Sequence, residues 1–192
     1  RQAVNFAIDR ERIVKQVMAG TVEHTCLMWP SVSWAYFADL EGRYKYNLEK
    51  SKQLLAEAGF ADGFETTLLT SGKSNPPLFG IAQIVQADLA KLKINAKIED
   101  VDATVYETRV PKGDFDGLVA HNYGRVNRDP GTTLSGVIIL YNKDQNGPIG
   151  FDLPEFVKLR DEAAGTLDRE KRKALYRKVQ EIHLDESFSM PI

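Results

Sequence analysis

Between residues 64 and 120 the apolar positions change period in a regular order. Residues 64–70 are rich in Thr and Leu and predict a strand. From Pro77 onward, Leu78, Ile81, Ala82, Val85, Leu89 and Leu92 recur at offsets of 3, 4, 7, 11 and 14 residues, the spacing of an amphipathic helix. Ile94, Ala96 and Ile98 then alternate, which predicts a second strand. A short helix over 102–110 leads to a third, whose apolar core is Phe115, Leu118, Val119 and Ala120. Strand, helix, strand, helix, strand implies parallel pairing with right-handed crossovers, and hence an α/β fold with helices flanking a mostly parallel sheet.

The flanks are patterned differently. Residues 1–8 read as a helix, and Asp9 as the N-cap of a second one with Ile13, Val14, Val17 and Met18 on one face and Gly20 as its stop. Residues 21–46 form a long aromatic-rich loop without periodicity, carrying Trp29, Pro30, Trp34, Tyr36, Phe37 and Tyr44. Loops of that length in a compact domain are functional or wrap another part of the molecule. Trp29 and Trp34 read as packing residues more readily than as ligand stackers. Asn47 caps a short helix bearing Leu54 and Leu55 that ends at Gly59. Residues 152–192 form a helical C-terminal part. Asp152 and Glu155 have the spacing of a capping box ahead of Phe156, Leu159 and Ala163. Asp168 caps a last helix with Leu175, Val179 and Ile182 as its buried stripe, and residues 188–192 read as an apolar strand. We take residues 1–192 as one α/β lobe without internal repeats.

Composition narrows the function classes. A formal charge of −2 without a long Lys/Arg run argues against a nucleic-acid footprint. No apolar stretch approaches the roughly 18 residues of a membrane span. The single Cys26 has no internal disulfide partner. His24, His121 and His183 lack metal-ligand spacing, and His183, beside Ile182, is expected at the surface or half-buried. No G-x-S-x-G elbow, phosphate-binding loop or dinucleotide fingerprint occurs. Asp114 and Asp116 read as solvated carboxylates. These features point away from an enzyme, and neither a metal nor a cofactor is expected. The chain opens on Arg1, already in helical sequence, and stops within an expected strand. It therefore reads as part of a longer protein, and the lack of a signal peptide says nothing about compartment.

The segment 113–130, GDFDGLVAHNYGRVNRDP, holds the candidate site. Its strand runs directly into His121, Asn122, Tyr123, Gly124, Arg125, Val126 and Asn127 before the turn at Pro130 and Gly131. In open α/β sheets ligands bind just beyond the carboxyl ends of the strands, so these side chains could line a small-molecule pocket. The same composition also suits a strand end that simply meets water.

Four blocks then carry a family resemblance: RQAVNFAIDRERIVKQVMAG, YKYNLEKSKQLLAEAGFADGFETTLLT, VDATVYETRVPKGDFD and FDLPEFVKLRDEAAGTLDREKRKALYRKVQEIHLDESFSMPI. In this order they resemble the C-terminal lobe of the ABC-transporter solute-binding proteins of the oligopeptide, dipeptide and nickel family (bacterial extracellular solute-binding proteins, family 5). The likeness spans nearly the whole chain. It implies a periplasmic-binding-protein-like (type II) lobe in a protein that closes by a hinge around an extracytoplasmic solute and delivers it to a membrane permease. It further implies a monomer, periplasmic or anchored outside the membrane. Peptide-binding members carry an Asp, a few residues before the Asp-Pro or Glu-Pro turn, that holds the peptide's α-ammonium. Here the turn is Asp129-Pro130, and that position falls on Val126, or on Arg125 if the gap is placed elsewhere. An ammonium would be repelled by Arg125, whereas a neutral or anionic group would be accepted. A sugar, an opine-like or acylated compound, a modified peptide or a metal chelate fits that change. Arg109, in Y-E-T-R, matches an arginine that in peptide binders can lie toward the ligand's carboxylate; a surface role is the other reading. Two further function classes stand beside transport: a ligand-sensing module of a regulator or receptor, and an enzyme on an α/β scaffold.

Overall fold

The expected alternation closes into a small parallel sheet. The protein is seen here as a computed structural model that describes residues 1–121, 129–135 and 150–192. Strand β1 (Glu65–Thr70) lies between β2 (Asn95–Asp100) and β3 (Leu118–Val119), and both pairings are parallel. Leu68 stands opposite Ile98 on one side and Leu118 on the other. Parallel strands need crossover elements, supplied here by α4 (Pro76–Ala90) and α5 (Ala103–Arg109). Pro76 and Pro77 open α4 where a missing N–H costs nothing. The periodic residues Leu78, Ala82, Val85 and Leu89 are buried, and Leu92 is buried just past the helix end.

Successive side chains of β1 feed two apolar layers. Leu68 joins a cluster with Ala82, Val85 and Leu89 of α4, while Leu69 packs with Tyr106 and Val110 on the α5 side. The third strand is shorter than its apolar run predicts, and Phe115 lies outside it. The cause is Gly117, whose φ of +88° and close approach to β1 leave no room for a side chain: a Cβ there would collide with Thr66 Oγ1 and lie 2.6 Å from Thr67 O. Pairing therefore begins only at Leu118.

The helices before the sheet follow their caps. Asp9 accepts from the Arg12 N–H at 2.9 Å to open α2 (Arg10–Gln16), behind α1 (Gln2–Ala7). The helix stops earlier than Gly20. Asn47 accepts from the Lys50 N–H at 2.9 Å to open α3 (Leu48–Glu57), and the Ser51 hydroxyl donates to Ala3 O at 2.7 Å, tying α3 to α1. Asp88 on α4 is fully buried yet satisfied: it accepts from Arg12 Nη2 (2.9 Å), Lys91 Nζ (2.8 Å) and the Asp9 N–H (3.0 Å), which locks α2 onto α4.

The C-terminal part consists of α6 (Gly131–Ser135), α7 (Pro154–Gly165) and α8 (Arg169–Glu186). Phe156, Leu159 and Ala163 face inward, as expected. Three details depart from expectation. The N-cap of α7 is Leu153, without a side-chain cap, because Pro154 takes the first helical position and moves the start past Asp152. His183 is fully buried: it follows Leu175 and Val179 at intervals of four, so it lies on the inward stripe, whereas Ile182 is only partly buried. Residues 188–192 join no strand; Met190 and Ile192 pack instead on the main apolar cluster, and Pro191 O accepts from Arg10 Nε at 2.7 Å.

The loop over 21–46 holds only a short 3₁₀ turn, Ala38–Leu40. It wraps the helical part. Trp29 is buried against Tyr176, with ring centroids 5.2 Å apart, and Trp34 packs on the same tyrosine at 5.6 Å. The Met28 N–H donates to Gln180 Oε1 at 2.9 Å.

Candidate functional site

The strand order β2-β1-β3 sets where a ligand can be held. The chain leaves β1 for one neighbour and later returns to pair on β1's other side, so a topological switch point lies between β1 and β3. At such points the connections diverge and open a crevice outside the carboxyl ends. Here those ends are Thr70–Ser71 and Ala120–His121, joined by the Ala120 N–H bond to Leu69 O at 2.9 Å.

The last polar side chain of β1 is Thr70. It is fully buried, and its Oγ1 has no hydrogen-bond partner among the described residues. A buried hydroxyl without a partner is costly in a native fold. Across β1, His121 follows the end of β3. Its residue surface is exposed, while its ring stacks on Tyr106 at 6.0 Å and 6° between planes. The Tyr106 hydroxyl donates to Ala120 O at 2.8 Å and lies 3.1 Å from His121 Nδ1. Burial pushes the Tyr106 phenol well above its ordinary range and holds the His121 imidazole below its usual value.

The neighbouring helix N-terminus is a poor anion site. Pro76 and Pro77 carry no N–H, and the Leu78 N–H is already bonded to Asn75 O at 3.0 Å.

Of the expected site residues, Asn122, Tyr123, Gly124, Arg125, Val126 and Asn127 lie outside the described residues. Both flanks of that segment are anchored. His121 is held by Tyr106. At the other flank, Asp129 Oδ1 accepts from the Gly131 N–H (2.7 Å) and from Arg172 Nη2 (2.6 Å), while Pro130 O accepts from Trp29 Nε1 (3.1 Å). Arg172 Nε in turn donates to the Tyr176 hydroxyl at 2.9 Å. Arg109 is not gathered with His121. Its guanidinium pairs with Glu99 at 2.6 Å and donates through Nε to Asp114 O at 3.0 Å. Tyr106, which the sequence does not mark as a site residue, opens the same Y-E-T-R motif and sits on the inward face of α5.

Two surface depressions lie elsewhere. One of about 590 Å³ runs between Phe37, Asp39, Lys173 and Arg177, and one of about 340 Å³ between Arg12, Gln16, Gly80 and Gln83. Neither touches the strand ends.

The fold of this parallel α/β lobe is that of the periplasmic-binding-protein-like architectures, as superposition on solved members shows. The dipeptide-binding protein of Pseudoalteromonas sp. SM9913, solved with Met-Leu, superposes over all of this chain and 38% of its own, with a TM-score of 0.87 and 26% identity. Residues 1–138 match the family described as bacterial extracellular solute-binding proteins, family 5, middle region. The chain belongs to that family. It is 30% identical over its whole length to heme-binding protein A of Haemophilus influenzae, covering 35% of that relative. It is 37% identical over 134 residues to the oligopeptide-binding protein AppA of Bacillus subtilis, covering 62% of this chain and 24% of AppA. The chain thus spans about a third of the length of such relatives. The family and these neighbours are solute-binding proteins, extracellular by the family's own description, and among the described residues no helix is long and apolar enough to cross a membrane.

Proposed function

We propose that this chain forms one wall of the solute cleft of an ABC importer's substrate-binding component. In that role the protein captures an extracytoplasmic solute by hinge closure and passes it to the membrane permease. The observation that carries the reading is the switch point between β1 and β3, with Thr70 and His121 at its lip and the flanks of 122–128 tied down on both sides. Closure follows from elementary linkage: a solute that touches both lobes binds the shut state better and shifts the population toward it. Micromolar affinity is about −8 kcal/mol, and sharing those contacts between two lobes leaves either lobe alone a weak binder.

His121 and residues 122–127 are the proposed ligand-facing set, with Arg109, paired with Glu99, flanking the cleft outside direct ligand contact. The lack of an acidic residue at Arg125 and Val126 favours a solute that is neutral or anionic at that point over a free-amino peptide. The protein works outside the membrane in this reading, free or anchored.

Small-angle scattering on the full-length protein tests the reading. Met-Leu, the peptide Ser-Thr-Ser-Ala, haem, and neutral and anionic sugar and opine panels would be added in turn. We expect at least one to reduce the radius of gyration and to stabilise the protein by about 2.7 kcal/mol at a hundredfold excess over its dissociation constant. Compaction with none of them, together with no thermal shift, would contradict it.

A further inference from the structure

Counting protons at the end of β3 fixes which face of His121 a solute meets. The Tyr106 hydroxyl has one hydrogen, and two acceptor-capable atoms lie within reach: Ala120 O at 2.8 Å and His121 Nδ1 at 3.1 Å. A carbonyl oxygen cannot donate. The short oxygen–oxygen contact is therefore attractive only if the tyrosine's hydrogen points at Ala120 O. The hydroxyl then faces His121 with a lone pair, and the contact to the ring requires a hydrogen on Nδ1.

We infer that Tyr106 is a positioning residue that holds His121 as the Nδ1–H tautomer, so that Nε2 offers a hydrogen-bond acceptor to a donor group of the solute. This rests on the proposed solute cleft and adds the ligand chemistry at one point in it: a hydroxyl or amide N–H is accepted there, and a carboxylate is refused. Two observations support it. Among the described residues Nε2 makes no hydrogen bond. Desolvation also lowers the imidazole's pKa against the opposing pull of Glu107, which favours the uncharged ring. The logic is that of an imidazole whose outer nitrogen is set by the bond its inner nitrogen makes.

The test is a nitrogen-15 NMR measurement on the full-length protein labelled in histidine, with His121→Gln assigning the resonance. The expected result is a protonated Nδ1 and an unprotonated Nε2 at neutral pH, with Tyr106→Phe moving the ring toward the Nε2–H form. An Nε2–H form in the unaltered protein would overturn the inference. Calorimetry with a neutral sugar of the scattering panel, rich in hydroxyl donors, supplies the second arm. Tyr106→Phe should weaken binding about five-fold, the weight of one net hydrogen bond, and should add nothing in a His121→Ala background. An equal loss in both backgrounds would mean that Tyr106 only supports the strand end, against the inference. Failure of the solute reading shows differently: the tautomer signature would be as expected, while no peptide, haem, sugar or opine of the scattering panel bound the unaltered protein.

Discussion

The sheet and the helical C-terminal part are held together by different physics. Around β1 the core is aliphatic: Leu68, Ala82, Val85, Leu89, Ile94 and Ala96 come from one continuous run of about thirty residues, joined by Ala3, Val4, Ala7, Ile8, Ile13 and Leu55 from the helices before the sheet. The helical part is held by aromatic rings and by hydrogen bonds between residues far apart in the chain. Met28 reaches Gln180, Trp29 reaches Pro130, Arg10 reaches Pro191, and Arg172 reaches Asp129. The first region builds the floor of the candidate cleft. The second fixes the far flank of the segment that crosses it. The lesson is that the site depends on contacts well outside the sheet that defines it.

The largest expected effect comes from the aromatic side of that contrast. Trp29→Ala removes a buried ring from Tyr176 and the donor to Pro130 O. It should cost about 4 kcal/mol in a denaturant titration, and solute affinity should fall with it, because Asp129-Pro130 loses an anchor.

On the sheet side, Gly117→Ala forces a side chain against the Thr67 carbonyl at a positive φ. A loss of about 3 kcal/mol is expected, with amide exchange of Leu118 and Val119 accelerated more than that of α7 or α8. Uniform acceleration across both regions would mean that the two halves unfold as one unit and share the strain.

Acid separates the regions more gently. His183 is buried between Gln180 (Nδ1, 3.0 Å) and Ser189 (Nε2, 2.7 Å), with Arg10 nearby, and burial pushes its imidazole down to about 3. Its folded value is depressed, so its stabilisation is complete above the unfolded value of about 6.5 and is lost as pH falls from there toward about 3. At pH 5 the loss should reach about 2 kcal/mol relative to pH 8, measured by urea midpoints. His183→Gln should flatten that part of the profile, and an unchanged acid slope in the variant would place the sensitivity elsewhere.

The smallest effect is expected at Arg109. Its partners are Glu99 and Asp114 at the surface, so Arg109→Ala should change solute affinity less than about two-fold, as read by calorimetry. A large loss would bring this arginine into the ligand's reach.

The local half of this architecture was legible in the sequence. The helix from Leu78 to Leu89 and the alternation through Ile94, Ala96 and Ile98 are periodic signals, and each maps onto its element. Asp9, Asn47 and Asp168 announced their caps, since a cap needs only the residue and the few that follow it. What escaped depended on tertiary context. The β3 strand is cut short by how closely Gly117 approaches β1, which no pattern in the strand itself reveals. His183 was hidden by its polarity, although its spacing from Leu175 and Val179 already placed it on the inward stripe. Tyr106 carries no signal of its own in the sequence, since a tyrosine on the inward face of a short helix has the pattern of a packing residue. In the site, the position of His121 at the strand end could be read directly; the bond that orients its ring could not.

In this reading a solute rests on the carboxyl ends of β1 and β3. The decisive measurement is a crystal structure of the full-length protein with bound solute. Ligand density is expected within hydrogen-bond distance of His121 Nε2, beside Thr70, with a second lobe closed over it. Density lodged elsewhere, with His121 facing the protein interior or open solvent in the closed form, would contradict it.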